Sequence, residues 1–237
     1  MNLYDMRNQP AVSVSYETAR PLIKWTYAWM LIGLLVTTAV AWFTASSPAL
    51  VEVRATPAIA IGVFIGQIVL VVALSWAINR ISPALAAVLF MIYAGTVGFS
   101  LSLLLLAFSI GSITAAFLTT AILFGVMSIF GFTTDTDLTK FRNLLFFALI
   151  GIIIALVVNM FIGSGMLNFI ISVLGVLIFM GLTAYDTQNL KRMAASIELQ
   201  GDQALMAKMS IFGALSLYLN FINIFIFLLQ IMGGNRD

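Results

Sequence analysis

The chain has 237 residues, of which 62% are hydrophobic and only 8% charged, with 11 Lys+Arg against 9 Asp+Glu. A soluble domain carries about 25% charged residues, and a water-soluble fold this poor in charge would expose apolar patches and aggregate. The chain therefore reads as an integral membrane protein whose main solvent is lipid. It has no Cys and no His, which excludes disulfides, thiolate zinc sites, Ser–His and Cys–His dyads, the HExxH metalloprotease helix and haem ligation by imidazole. A net charge of +2 with scattered basic residues excludes a nucleic-acid surface.

An N-terminal tail, residues 1–24, precedes seven apolar runs at 25–45, 58–78, 83–108, 113–132, 143–162, 167–185 and 209–232. Each is long enough for a transmembrane helix, which needs about 18 apolar residues or more. The strands of a membrane barrel are about 10 residues long and strictly alternating, whereas these runs are apolar all round. The expected fold is an all-α, seven-transmembrane helical bundle over residues 25–234, followed by a short tail at 235–237. The first run is too long for the apolar region of a cleaved signal peptide and is expected to stay as an anchor. The links at 46–57, with two prolines, 79–82, 109–112, 133–142 and 163–166 are short, and one link, 186–208, is longer. No internal repeat stands out, and an odd helix count argues against the two-halved plan of many transporters.

The links also set an orientation. Arg7, Arg20, Lys24, Arg80, Lys140, Arg142, Lys191, Arg192 and Lys208 fall on the side of the N-terminus, and Arg54 and Arg236 fall on the other. Lys and Arg concentrate in cytoplasmic loops, so the N-terminus is expected in the cytoplasm and the C-terminus outside. Trp25, Trp29, Trp42 and Trp76 lie towards span ends, as an interfacial aromatic belt predicts.

Ionisable groups within a span are costly and mark functional sites by default. Asp186 is the one such group that can be placed, in Gly-Leu-Thr-Ala-Tyr-Asp-Thr-Gln-Asn-Leu at 181–190. If the sixth helix runs on past Tyr185, Asp186 sits about 9 Å inside its end. The alternative is an interfacial acid solvated by headgroups and water. In the seventh span Ser216, Asn220, Asn223 and Gln230 share one helix face. Lipid does not tolerate an amide-lined face, so this stripe should point into the bundle. It serves either as interhelical glue, worth about 0.6 kcal/mol per hydrogen bond, or as the lining of a polar path. Arg80, at the end of the second span, is either a positive-inside anchor or a partner for Asp186. Asp135 and Asp137 resemble the start of a calcium loop but lack its Gly and terminal Glu, so loop capping is expected. The Gly62-xxx-Gly66 spacing suggests close helix packing, and Asn159 a packing hydrogen bond.

Three segments carry a resemblance: 181–190, Gly-Ala-Leu-Ser-Leu-Tyr-Leu-Asn-Phe-Ile-Asn-Ile-Phe at 213–225, and Phe-Thr-Thr-Asp-Thr-Asp-Leu at 132–138. Together they resemble the Bax inhibitor-1 family, in its bacterial YbhL/YccA branch, and the similarity runs from Trp25 to Gly234. The resemblance implies a helical bundle with the last helix central, and a calcium leak modulated by pH. It also implies a sensor made of two aspartates on the last two helices, latched by an arginine at the end of the second. The matching positions are Asp186 for the first aspartate and Arg80 for the arginine. The second aspartate is replaced: relatives commonly read Leu-Tyr-Leu-Asp-Phe-Ile-Asn, and this chain has Asn220. Two close carboxylates cannot both ionise, whereas Asn220 can donate an amide hydrogen bond to an ionised Asp186. Asp186 should then titrate as a single site, with weaker or more acid-shifted gating.

The expected function is thus a bacterial inner-membrane calcium-leak protein that needs no cofactor and has membrane lipid as its surroundings. Asp186 would hold calcium only transiently, since hard cations want several oxygen ligands. The alternative is a regulatory interaction protein, a modulator or substrate of a membrane-bound ATP-dependent protease, contacted through the N-terminal tail or segment 186–208. An intramembrane enzyme is not expected, because Ser–His and paired-aspartate sites lack their side chains.

Overall fold

A computed structural model of the chain describes residues 16–78, 80–198 and 202–233. The two tails, with Arg7 and Arg236, fall largely outside this range. The described residues form eight α-helices: α1 (Tyr16–Ala45), α2 (Pro48–Ala55), α3 (Pro57–Ala77), α4 (Pro83–Ala107), α5 (Ile110–Thr133), α6 (Arg142–Ile162), α7 (Gly165–Glu198) and α8 (Gln203–Met232). A 3₁₀ turn, Leu138–Phe141, leads into α6. Seven of the helices, all but α2, are long and apolar enough to cross a membrane.

The helix starts follow from local chemistry. Pro48, Pro57 and Pro83 each stand at the first turn of a helix, where the missing N–H is no loss and the fixed φ suits the helix. Ser82, Ser109 and Asp202 cap α4, α5 and α8 by accepting the N–H of Leu85 at 3.2 Å, Ser112 at 3.1 Å and Leu205 at 3.0 Å, which satisfies a backbone donor left open at the helix start. Helix α6 ends on Gly163 at φ 68°, a left-handed conformation that glycine adopts without steric cost.

Three elements depart from the sequence reading. Helix α1 begins at Tyr16 rather than at 25, because the helix continues past the apolar run into the polar segment before it. The link 46–57 contains its own helix, α2, since its two prolines both start helices. The long link 186–208 is mostly helix, with α7 continuing to Glu198 and α8 starting at Gln203. Its Leu190, Ala194 and Ile197 are buried and continue one apolar stripe, so packing carries α7 beyond the apolar slab.

The seven spans alternate in direction, so the ends of α3, α5 and α7 lie with the starts of α1, α4, α6 and α8. This basic end carries Arg20, Lys24, Arg80, Arg142, Lys191 and Arg192. Burial is uneven. In α8, 61% of the most apolar stretch is buried, against 6% in each of α3 and α6. Helix α8 packs on α1, α4, α5 and α7, while α3 leans mainly on α4 and α6 mainly on α7. The outward faces are large and apolar, such as Phe64, Trp76, Phe147 and Phe161, and suit lipid.

In lipid the apolar effect does not drive helices together, so close packing of small residues must. Gly98 of α4 does this: a Cβ there would lie 2.5 Å from the Thr37 carbonyl oxygen of α1. Gly131 of α5 does the same against the Ala184 backbone of α7. Gly62 and Gly66 have open space around them, so their spacing does not mark a close helix contact within this chain.

Candidate functional site

Four helices bring polar groups to one cavity. Asp186 comes from α7, Ser216, Asn220 and Asn223 from α8, Gln67 from α3 and Tyr93 from α4, with apolar walls from α3 and α6. The cavity has a volume of about 550 Å³. At its heart the Asn220 Nδ2 donates to Asp186 Oδ2 at 2.8 Å. Asn220 is buried at 4% exposure, and Asp186 is partly buried. The amide therefore gives the carboxylate a partner without a second negative charge. Asn223 Nδ2 donates to the Leu219 carbonyl, one turn back, at 2.8 Å, which leaves its side-chain oxygen as an acceptor in the cavity wall. Of the lining residues, Asp186 alone carries a carboxyl group.

The expected site residues divide. Asp186, Ser216, Asn220 and Asn223 meet, as the shared face of α8 predicts. Gln230 does not join them. It lies seven residues beyond Asn223, about 10 Å along the helix, and accepts a hydrogen bond from Ser172 Oγ at 2.8 Å. It is exposed and joins α7 to α8, which is the role of glue. Arg80 also stands apart. Its guanidinium lies 4.9 Å from the centre of the Trp76 ring, one turn earlier on its own segment, while Asp186 is bonded to Asn220. The Arg80–Asp186 latch is therefore not formed in this structure: cation–π attraction holds the exposed Arg80 at the edge of the bundle.

Gln67 was not singled out in the sequence. Its Nε2 donates to Ser100 Oγ at 2.9 Å, and the Ser100 carbonyl accepts from Arg54 Nη2 at 3.4 Å. The lone amide of its span was the signal that could have marked it. Thr37 and Tyr218 were not singled out either. Their hydroxyls lie 2.6 Å apart, and Thr37 Oγ1 is 3.0 Å from both the Gly33 and Ala94 carbonyls. Threonine has one hydroxyl proton, which these carbonyls take, so Tyr218 is the donor to Thr37.

One helical turn beyond Asp186, α7 grips the α5–α6 link. Gln188 accepts from the Leu138 N–H at 2.9 Å and donates to the Thr136 carbonyl at 2.8 Å. Lys191 donates to the Phe132 carbonyl at 3.0 Å. Arg192 donates to Asp137 at 2.6 Å and also reaches the Thr139 hydroxyl. Asp137 accepts the Thr139 N–H at 3.0 Å, so it caps the 3₁₀ turn as expected. The Thr139 hydroxyl, then Arg192 and the Thr139 amide, hold the Asp137 carboxyl well below the usual carboxylate range. Asn159 accepts the Ser164 N–H at 3.1 Å and so closes the end of α6.

Comparison with known proteins agrees with this architecture. The family model described as inhibitor of apoptosis-promoting Bax1 matches residues 19–237. The inner membrane protein YbhL of Escherichia coli (strain K12) is 44% identical over 211 residues, covering 89% of this chain and 90% of that protein. An uncharacterised protein of Deinococcus radiodurans is 42% identical over 221 residues, covering 93% of each. One of Borreliella burgdorferi is 42% identical over 209 residues, covering 88% of this chain and 89% of that protein. With seven spans, a helical bundle and a match over nearly its whole length, the chain belongs to the Bax inhibitor-1 family of multi-pass membrane proteins.

Proposed function

We propose that this protein is a passive, pH-modulated cation leak of a bacterial inner membrane, with calcium as its main ion. Its N-terminus lies in the cytoplasm and its C-terminus outside. One observation carries the reading: a carboxylate inside the bundle, bonded to Asn220 at 2.8 Å, lines a largely apolar cavity of about 550 Å³ together with Ser216, Asn220, Asn223 and Gln67. A carboxylate at that depth is costly, and a cation passing through is the partner that repays it. The described residues hold no group of three or more acids, whereas calcium takes six to eight oxygen ligands when held. The cavity thus suits brief passage of the ion, assisted by Ser216, Asn220 and Asn223.

The test is calcium flux into liposomes containing the purified protein, across pH 5–8. Asp186→Asn should abolish the pH dependence. Asn220→Asp would place a second carboxylate against Asp186, and since both cannot ionise together, it should add a pH-dependent step to the profile. Profiles identical to the parent in both variants would overturn the reading. They would leave regulation of a membrane-bound ATP-dependent protease, contacted through the N-terminal tail or the segment 186–208, where Asn189 and Arg192 are exposed.

A further inference from the structure

A second cavity, of about 370 Å³, lies at the basic end between α6 and α7. Its walls are Arg142, Asn143, Phe146, Leu149, Leu182 and Tyr185. Leu149 and Leu182 line the Asp186 cavity as well. The two spaces therefore adjoin, and these two leucines, one from each helix, stand where they meet. We infer that Leu149 and Leu182 form the gate of a route leading from the Asp186 cavity, between α6 and α7, to a mouth at Arg142 on the basic end of the bundle.

The physical argument is continuous. On the cavity side the route begins at a carboxylate and amides, which hold water. Leu149 lies seven residues inside Arg142, about 10 Å along α6. At the mouth Arg142 is exposed and Asn143 adds a polar amide. Between these wet ends the leucines are an apolar constriction, and such a constriction closes a path by excluding water rather than by filling it with atoms. Helix α6 is among the least buried of the spans, so parting the leucines requires little repacking. The charge at the mouth sets a preference. Arg142 is the one charged residue lining this space, so it favours anions and slows cations there, which keeps a calcium leak through this mouth slow.

This gate deepens the leak proposed above and rests on it for its use, but water access to the route can be measured without any flux. The chain has no Cys, so each single-cysteine variant carries one reporter thiol. Leu149→Cys, Leu182→Cys and Phe147→Cys are purified, checked for a single symmetric peak on gel filtration, placed in lipid nanodiscs and treated with membrane-impermeant thiol reagents. Phe147 faces lipid on α6 at 68% exposure and lies nearer the basic end than Leu149. The thiolate is the reacting form and needs water. Labelling of both leucine positions should exceed that of Phe147→Cys several-fold, and a negatively charged reagent should outpace a positive one. Adding Arg142→Glu should reverse that order. Labelling no faster than at Phe147→Cys would overturn the route, and a charge preference unmoved by Arg142→Glu would overturn the role of the mouth. In liposomes, Leu182→Ser should raise calcium flux several-fold. Accessible leucines with no flux in any variant would refute the leak and keep the route, whereas parent flux with inaccessible leucines would refute the route and keep the leak.

Discussion

The side chains that matter most here are those whose polar atoms have no water to fall back on. Tyr218 is fully buried, and its hydroxyl proton goes to Thr37 at 2.6 Å. Removing the donor and removing the acceptor are then unequal losses. Tyr218→Phe deletes one hydrogen bond, worth about 1 kcal/mol. Thr37→Val leaves the Tyr218 hydroxyl buried without a partner, which costs about 1–3 kcal/mol. Thermal unfolding in detergent should rank Thr37→Val as the more destabilising, with the double variant recovering towards Tyr218→Phe because the orphaned hydroxyl is gone. Additive losses would show that the two hydroxyls do not act as a unit. Asn220 follows the same logic at the cavity: its amide gives Asp186 a hydrogen bond at 2.8 Å without adding a second charge.

At the scale of the helix, backbone proximity and loop clamping decide what can be changed. A methyl group at Gly98 would meet the Thr37 carbonyl oxygen at 2.5 Å and Val40 Cβ at 3.0 Å, so α1 and α4 would have to separate. Gly98→Ala should lose about 1–3 kcal/mol, the usual cost of overpacking. Gly62→Ala and Gly66→Ala meet open space and should be neutral or gain up to about 1 kcal/mol from reduced backbone entropy. Melting temperatures in one detergent decide between them. The clamp on the α5–α6 link makes a different prediction. Asp137 is exposed, and its carboxyl is depressed by Thr139 and Arg192. A carboxylate depressed on folding adds stability above its unfolded pKa and loses it as pH falls through its folded one. Asp137→Asn should therefore lower the melting temperature slightly at pH 7. The difference should shrink as the pH falls below the ordinary carboxylate range, near 4. A difference that persists in strong acid would remove the charge from the clamp.

Across the whole molecule, burial and charge are arranged on different axes. Burial runs from α8, 61% buried, outward to α3 and α6 at 6%. The polar cavity lies between these extremes, walled on one side by α8 and on the other by the two most lipid-exposed helices. Charge runs along the membrane normal, with the cations gathered at the end where α5 and α7 finish. If that end faces the cytoplasm, a reporter active only outside the cytoplasm and fused after Asp237 should be active, and the same reporter fused before α1 should be silent. The reverse pattern would invert the orientation, and with it the side to which the Arg142 mouth opens.

The sequence by itself determined the solvent, the number of spans and the face of α8 that turns inward. Those follow from local quantities: apolar run length against the thickness of a bilayer, and the helical period that puts Ser216, Asn220 and Asn223 on one side. The motifs at 181–190 and 213–225 also marked Asp186 and its amide partner Asn220. Helix ends were less legible, because α1 and α7 continue beyond the apolar slab through segments held by packing, as at Leu190 and Ile197. Only the tertiary structure decided the contacts between distant segments. It seated Arg80 on Trp76, joined Gln230 to Ser172, drew Gln67 into the cavity and placed Leu149 and Leu182 on the walls of both spaces. Each of these depends on how helices far apart in the chain pack and rotate against one another, and neither run length nor periodicity carries that information.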